Sequence, residues 1–125
     1  MSQAVPTVHV LEMIPFAGGH LQVLESPSRD LAFSIPDLCL ALGVKSGTAR
    51  MALTANLSSG EYFKARTCLR RKIMGCVTSS ALIKILRSRI GHSRSWIRES
   101  AKELLAAVAP LYSARLACNI MQRML

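Results

Sequence analysis

Polar and apolar side chains alternate along His20-Leu21-Gln22-Val23-Leu24, the period of a strand with one face in a core. Thr7-Val8-His9-Val10-Leu11 is also strand-prone, and Gly18-Gly19 between the two runs tolerates the positive φ of a tight turn. Residues 7 to 25 therefore read as a hairpin, with Pro15 limiting the first strand or placing it at an edge. Ser26-Pro27-Ser28-Arg29-Asp30 is a second turn, and Leu31-Ala32-Phe33 a short third strand.

At Ser34 the period lengthens. The Ser34 hydroxyl can cap a helix, Pro36 fits its first turn, and Asp37 suits the positive end of its dipole. Ile35, Leu38 and Leu42 fall on one side, and Gly43 stops the helix in the left-handed conformation. A second helix follows Lys45-Ser46-Gly47 from about Thr48 to Leu57, with Ala49, Ala52 and Leu53 inward, Met51 beside them and Arg50 outside. After the turn Ser58-Ser59-Gly60, two strands, Glu61 to Leu69 and Lys72 to Thr78, meet around Arg70-Arg71. Thr78 or Ser79 caps a third helix whose Leu82, Ile85, Leu86 and Arg89 follow helical spacing.

Gly91-His92-Ser93 interrupts the pattern. A fourth helix from about Ser95 to Ala109 buries Trp96, Ala101, Leu104, Leu105 and Val108. Pro110 starts or bends a fifth segment, Leu111 to Met124, with Leu111, Ala114, Cys118, Met121 and Leu125 along one stripe. That segment is apolar on more than one side and needs cover, from its own domain or a second copy. The expected class is α+β, with small antiparallel hairpins packed on four to five helices.

Half of the 125 residues are apolar and 18% are charged, below the usual quarter, so a folded core is expected and disorder is not. MSQAVPTVHV has neither a basic nor an apolar leader region, and no apolar run reaches the roughly 18 residues of a membrane span. The chain reads as soluble and intracellular. Cys39, Cys68, Cys76 and Cys118 show no zinc-ligand spacing with one another or with His9, His20 and His92, so they read as free thiols, with no cofactor implied.

Charge changes the picture more than composition does. From Lys45 to Lys102 there are thirteen Lys and Arg against Glu61 and Glu99, a balance of +11, whereas the first 44 residues carry −3. A field of one sign attracts polyanions, and double-stranded DNA is the partner expected first. Three clusters could carry the contact. Lys64, Arg66, Arg70, Arg71 and Lys72 surround the second hairpin, a shape that enters a major groove. Arg87, Arg89, Arg94 and Arg98 surround the junction of the third and fourth helices, where helix N–H groups near Ser93 and Ser95 can meet a phosphate. Lys45, Ser46 and Arg50 form the third cluster. Arg outnumbers Lys in them, and the guanidinium forks onto phosphate or guanine. Tyr62 and Phe63 alternate beside Lys64 and Arg66, so one of them points outward where a base could stack.

Enzymatic chemistry is not expected. The acids are scattered without a pair for acid–base work, Ser79 and Ser80 lack a nucleophile elbow, and His92 is a loop histidine without a partner in the pattern. Gly18-Gly19 and Gly43 do not make a phosphate loop.

Two blocks, Phe33-Ser34-Ile35-Pro36-Asp37-Leu38-Cys39-Leu40-Ala41-Leu42-Gly43-Val44-Lys45 and Cys76-Val77-Thr78-Ser79-Ser80-Ala81-Leu82-Ile83-Lys84-Ile85-Leu86-Arg87-Ser88-Arg89 followed by Trp96, resemble in content and order the BRO N-terminal domain of phage antirepressors and baculovirus BRO proteins. The likeness spans roughly residues 8 to 110. It implies a BRO-N-like DNA-binding domain over 1–110 and transcriptional regulation in a phage or viral setting within the host cell. The alternative it implies is an antirepressor that binds and inhibits a host or phage regulatory protein. Independently of the likeness, the apolar sides of residues 111–125 mark them as a C-terminal helix and a candidate dimerisation element.

Overall fold

The computed structural model describes residues 5–16, 19–67 and 72–124, with residues 115–124 as backbone only. Six strands form one sheet: β1 (Thr7–Val8), β2 (Val10–Phe16), β3 (Gly19–Glu25), β4 (Leu31–Ser34), β5 (Tyr62–Thr67) and β6 (Met74–Thr78). Their order across the sheet is β1-β5-β6-β4-β3-β2. His9 alone separates β1 from β2, yet the two stand at opposite ends of that order. A flat sheet cannot satisfy this, so the sheet curls until one bent segment closes both ends. At the bend, the Glu25 N–H donates to the His9 carbonyl and the Arg66 N–H to that of Pro6. β1 runs parallel to β5, and the other neighbours pair antiparallel.

Alternation then yields two cores. Val8, Leu24, Ala32, Ala65, Met74 and Cys76, with Val10 and Phe63 against them, fill the inside of the curl. Each strand contributes to that cluster, as closure requires. The other face carries Leu21, Val23, Leu31, Phe33 and Val77, and packs against the helices. Register aligns this face, with Val23 opposite Phe33 and Phe33 opposite Val77. β4 is buried along its whole length and forms the centre of the fold.

Four helices follow: α1 (Ile35–Leu42), α2 (Gly47–Thr54), α3 (Ser79–Ile90) and α4 (Ser95–Met124). The expected caps are present. The hydroxyls of Ser34, Ser46 and Thr78 accept from the N–H groups of Asp37, Ala49 and Ala81. Asp37 also has a second role: its buried carboxylate accepts the Gln22 N–H at 3.0 Å, tying α1 to β3. Gly43 ends α1 at φ 71° and the Val44 N–H returns to the Cys39 carbonyl.

The expected α+β class is correct, but several details differ. The hairpins are parts of one continuous sheet. The expected fourth and fifth segments are a single helix, with Pro110 inside α4 and exposed. The helix continues because both flanks of the proline dock. Val108 is buried, Leu111 packs against the core, and the Tyr112 hydroxyl donates to the Ser79 carbonyl at 2.9 Å. The Ala106 carbonyl loses the helical donor that residue 110 would supply, a local cost that this packing outweighs. Cys118, Met121 and Leu125 of the expected stripe lie outside the residues whose side chains are described.

Trp96 is also corrected. It is 51% exposed, and Ile97 takes the inward position at 9%. The buried stripe of α4 is Ile97, Ala101, Leu104 and Val108, spaced i, i+4, i+7 and i+11, and Trp96 stands one helical step out of phase. Ile73, expected in the central strand, precedes β6 and is exposed. On α2 the expected inward residues Ala49 and Leu53 do pack on the core, but Ala52 and Met51 face solvent.

Candidate nucleic-acid interface

The turn between α1 and α2 is where the fold gathers its cationic side chains. Arg89, in the last turn of α3, donates from Nη2 to the Leu42 carbonyl at 3.2 Å, which joins the end of α3 to the end of α1. Its guanidinium is half-buried, and its Nε has no hydrogen-bond partner. Arg50 of α2 lies close by. Burial pushes the Cys39 thiol up, and the charges of both Arg50 and Arg89 pull it part of the way back. Lys45 stands exposed in the turn itself.

The start of α4 reaches the same place. The Trp96 ring lies over the turn, so that a Cβ on Gly43 would sit 3.5 Å from it. Arg94 and Arg98 flank that ring in sequence. The Arg94 N–H donates to His92 Nδ1 at 3.0 Å, and Arg98 Nη1 donates to the carbonyls of His92 and Ser93 at 2.9 and 2.8 Å. These bonds bridge the α3–α4 junction. Lys45, Arg50, Arg89, Arg94 and Arg98, expected in two separate clusters, are thus brought to one end of the molecule. Arg87 stands exposed on the last turn of α3 nearby.

The two carboxylates of the basic segment pair with lysines outside the candidate set. Glu61 Oε1 is 2.7 Å from Lys84 Nζ, and its side chain is only 12% exposed. It also accepts the Ser58 N–H and the Ser80 hydroxyl. The Lys84 ammonium, then the Ser58 N–H, hold its pKa down at about 2. Glu99 meets Lys102 at 3.7 Å. Among the described residues these are the two ion pairs. Neither uses a residue of the candidate set: Lys45, Arg50 and Arg94 are exposed, and Arg89 and Arg98 are met by carbonyls and not by carboxylates.

The second hairpin is a separate region. Tyr62 and Lys64 are exposed on β5, with Phe63 turned into the curl, as the alternation predicted. Arg66 is half-buried opposite Thr7 and its Nε has no partner. Lys72 is exposed. Arg70 and Arg71, expected at the tip, lie outside the described residues.

An open cleft of about 260 Å³ runs between α2 and α3 beside the cationic end, with Leu53, Asn56, Ile85, Arg89 and His92 among its walls. Among the described residues, no three of His, Cys, Asp and Glu stand together as a metal site, and no helix is long and apolar enough to cross a membrane.

Two features escaped the sequence reading, the exposure of Trp96 and the Glu61–Lys84 pair. The first had a signal, since Trp96 is out of phase with Ile97, Ala101, Leu104 and Val108. The second joins residues 23 positions apart, and only the tertiary fold reveals it. No protein-family model matches the chain, and comparisons with curated proteins and with solved structures give no match.

Proposed function

We propose that this chain binds DNA through the cationic end and acts as a small transcriptional regulator of the phage- or virus-encoded type, without catalysis of its own. The observation that carries the reading is the convergence of Lys45, Arg50, Arg89, Arg94 and Arg98 on two adjoining junctions, with no carboxylate paired to them among the described residues. Such a surface lowers its own electrostatic repulsion when phosphates replace its counterions. The regulatory role and the viral setting rest on the block order that resembles the BRO N-terminal domain. Fluorescence anisotropy with labelled duplex DNA across a salt series tests the binding. Four or five phosphate contacts imply a log–log slope of about −4. Affinity that ignores salt, or no binding at low salt, overturns the reading.

A second reading is an antirepressor that grips a regulatory protein. It draws on exposed apolar side chains near the same end, Leu40 at 78% and Met51 at 74% exposed. A protein captured from host lysate and retained after nuclease treatment, with no salt-dependent DNA binding, favours it. We also propose a homodimer formed through residues 111–125. Their removal should yield a monomer or an insoluble fragment, and a soluble truncated dimer in light scattering refutes that role.

A further inference from the structure

We infer that Trp96 is a base-stacking residue, and that the cationic end takes up nucleic acid whose bases are unpaired. The inference rests on the nucleic-acid reading above and names the form of ligand that the surface selects.

Four observations converge on it. Trp96 is the single tryptophan of the chain, and half of its surface is exposed on a folded helix. It is not a stray core residue, because Ile97 already fills the inward position of that turn. The ring lies over Gly43, where a built Cβ would be 3.5 Å from it, an ordinary contact. Finally, cations share this end of the molecule. Arg89 bonds the Leu42 carbonyl next to Gly43, Lys45 is exposed two residues beyond Gly43, Arg50 follows on α2, and Arg94 and Arg98 belong to the same helix start as Trp96.

An exposed aromatic plane at the end of the molecule that also carries the cations matches the chemistry of a nucleotide strand. The cations hold consecutive phosphates and the indole meets a base face. In an intact duplex those faces are covered by their neighbours, so the indole gains a partner only where bases are unstacked. The cations alone do not discriminate, because duplex and single strand both present phosphates. Trp96 supplies the discrimination. A protein partner would also use Trp and Arg, but five cations without a carboxylate would need a strongly acidic surface opposite them.

Two measurements on the full chain separate this inference from the wider reading. Anisotropy reports binding, and Trp96 emission reports stacking without a label on the protein. The probes are an oligothymidylate of about 12 nucleotides, within the usual site size, and a mixed-sequence duplex of equal length, at one salt concentration. The oligothymidylate should quench Trp96 strongly and saturably, and the duplex weakly. Trp96→Ala should weaken oligothymidylate binding at least tenfold and duplex binding less than twofold. Trp96→Phe keeps an aromatic plane over Gly43, guards against misfolding and should retain most of the affinity. Oligothymidylate binding with unchanged emission, or equal losses for both probes in Trp96→Ala, overturns the inference and leaves nucleic-acid binding standing. No anisotropy change with either probe overturns both.

Discussion

Two basic regions of this molecule carry similar side chains and behave differently. Where β5 begins against α3, Lys84 is answered by Glu61 at 2.7 Å, and Glu61 is answered again by the Ser58 N–H and the Ser80 hydroxyl. At the α1–α2 turn Arg89 is answered by the Leu42 carbonyl, and at the adjoining α3–α4 junction Arg98 is answered by those of His92 and Ser93. A carbonyl orients a guanidinium and leaves its charge in place, whereas a carboxylate cancels it. The first region is therefore a clamp between elements, and the second is a surface with fixed positive charge. Net charge does not separate the two. The identity of the acceptor does.

The largest effect should come from removing two cations at the start of α4, of which Arg98 is anchored by carbonyls. Arg94→Ala with Arg98→Ala should weaken DNA binding about tenfold or more, about 1.4 kcal/mol, and make the salt slope shallower by about 2. Lys84→Ala, in the clamp, should leave affinity within about twofold and lower the melting temperature instead. Equal effects on affinity from the two regions would erase the distinction. Anisotropy titrations at several salt concentrations, with thermal melts of the same variants, decide it.

Gly43 links the turn to the surface. Its φ of 71° suits a residue without a Cβ. Gly43→Ala should cost about 1 kcal/mol in denaturant unfolding. The added methyl would make ordinary contact with the Trp96 ring at 3.5 Å, so the strain is in the backbone. Trp96 emission should therefore change less than stability does. A large blue shift with no loss of stability would mean that the ring moves and the turn does not.

Residue spacing made much of this fold legible in advance. Ser34, Thr78 and Gly43 marked helix ends because capping is local chemistry, read within four residues. Closure of the sheet was not legible. Nothing in Thr7-Val8-His9-Val10 tells that Val8 joins β5 while Val10 joins β3. The continuity of α4 through Pro110 was equally hidden, since it depends on Tyr112 reaching Ser79, 33 residues away. At the candidate site, sequence supplied the cations but divided Lys45 and Arg50 from Arg89, Arg94 and Arg98. The bond from Arg89 to the Leu42 carbonyl unites them across 47 positions.

Glu99 sharpens the comparison from the other side. It lies one turn beyond Trp96 on α4 and meets Lys102 at 3.7 Å, both side chains being more than half exposed. A pair that open contributes little to stability. Its carboxylate nevertheless opposes phosphate at the edge of the cationic end. Glu99→Gln should raise affinity for nucleic acid about threefold, about 0.6 kcal/mol, with the melting temperature unchanged. A gain that persists at high salt would point to a direct hydrogen bond, because a field effect is screened.

The smallest expected effect is the most specific to the clamp. The Glu61 carboxylate is held at about 2, below its usual range, first by the Lys84 ammonium and then by the Ser58 N–H. A depressed carboxylate stabilises the fold above its unfolded pKa, and the contribution disappears as pH falls through its folded value. The window therefore runs from about pH 4.5 down to about 2. In that range the melting temperature of the native chain should fall more steeply than that of Glu61→Gln, and the two curves should converge at the acid end. Above pH 5 they should run parallel, with the native chain higher. Parallel curves across the whole range would show that Glu61 acts through its hydrogen bonds to Ser58 and Ser80, which glutamine can in part retain, and not through its charge.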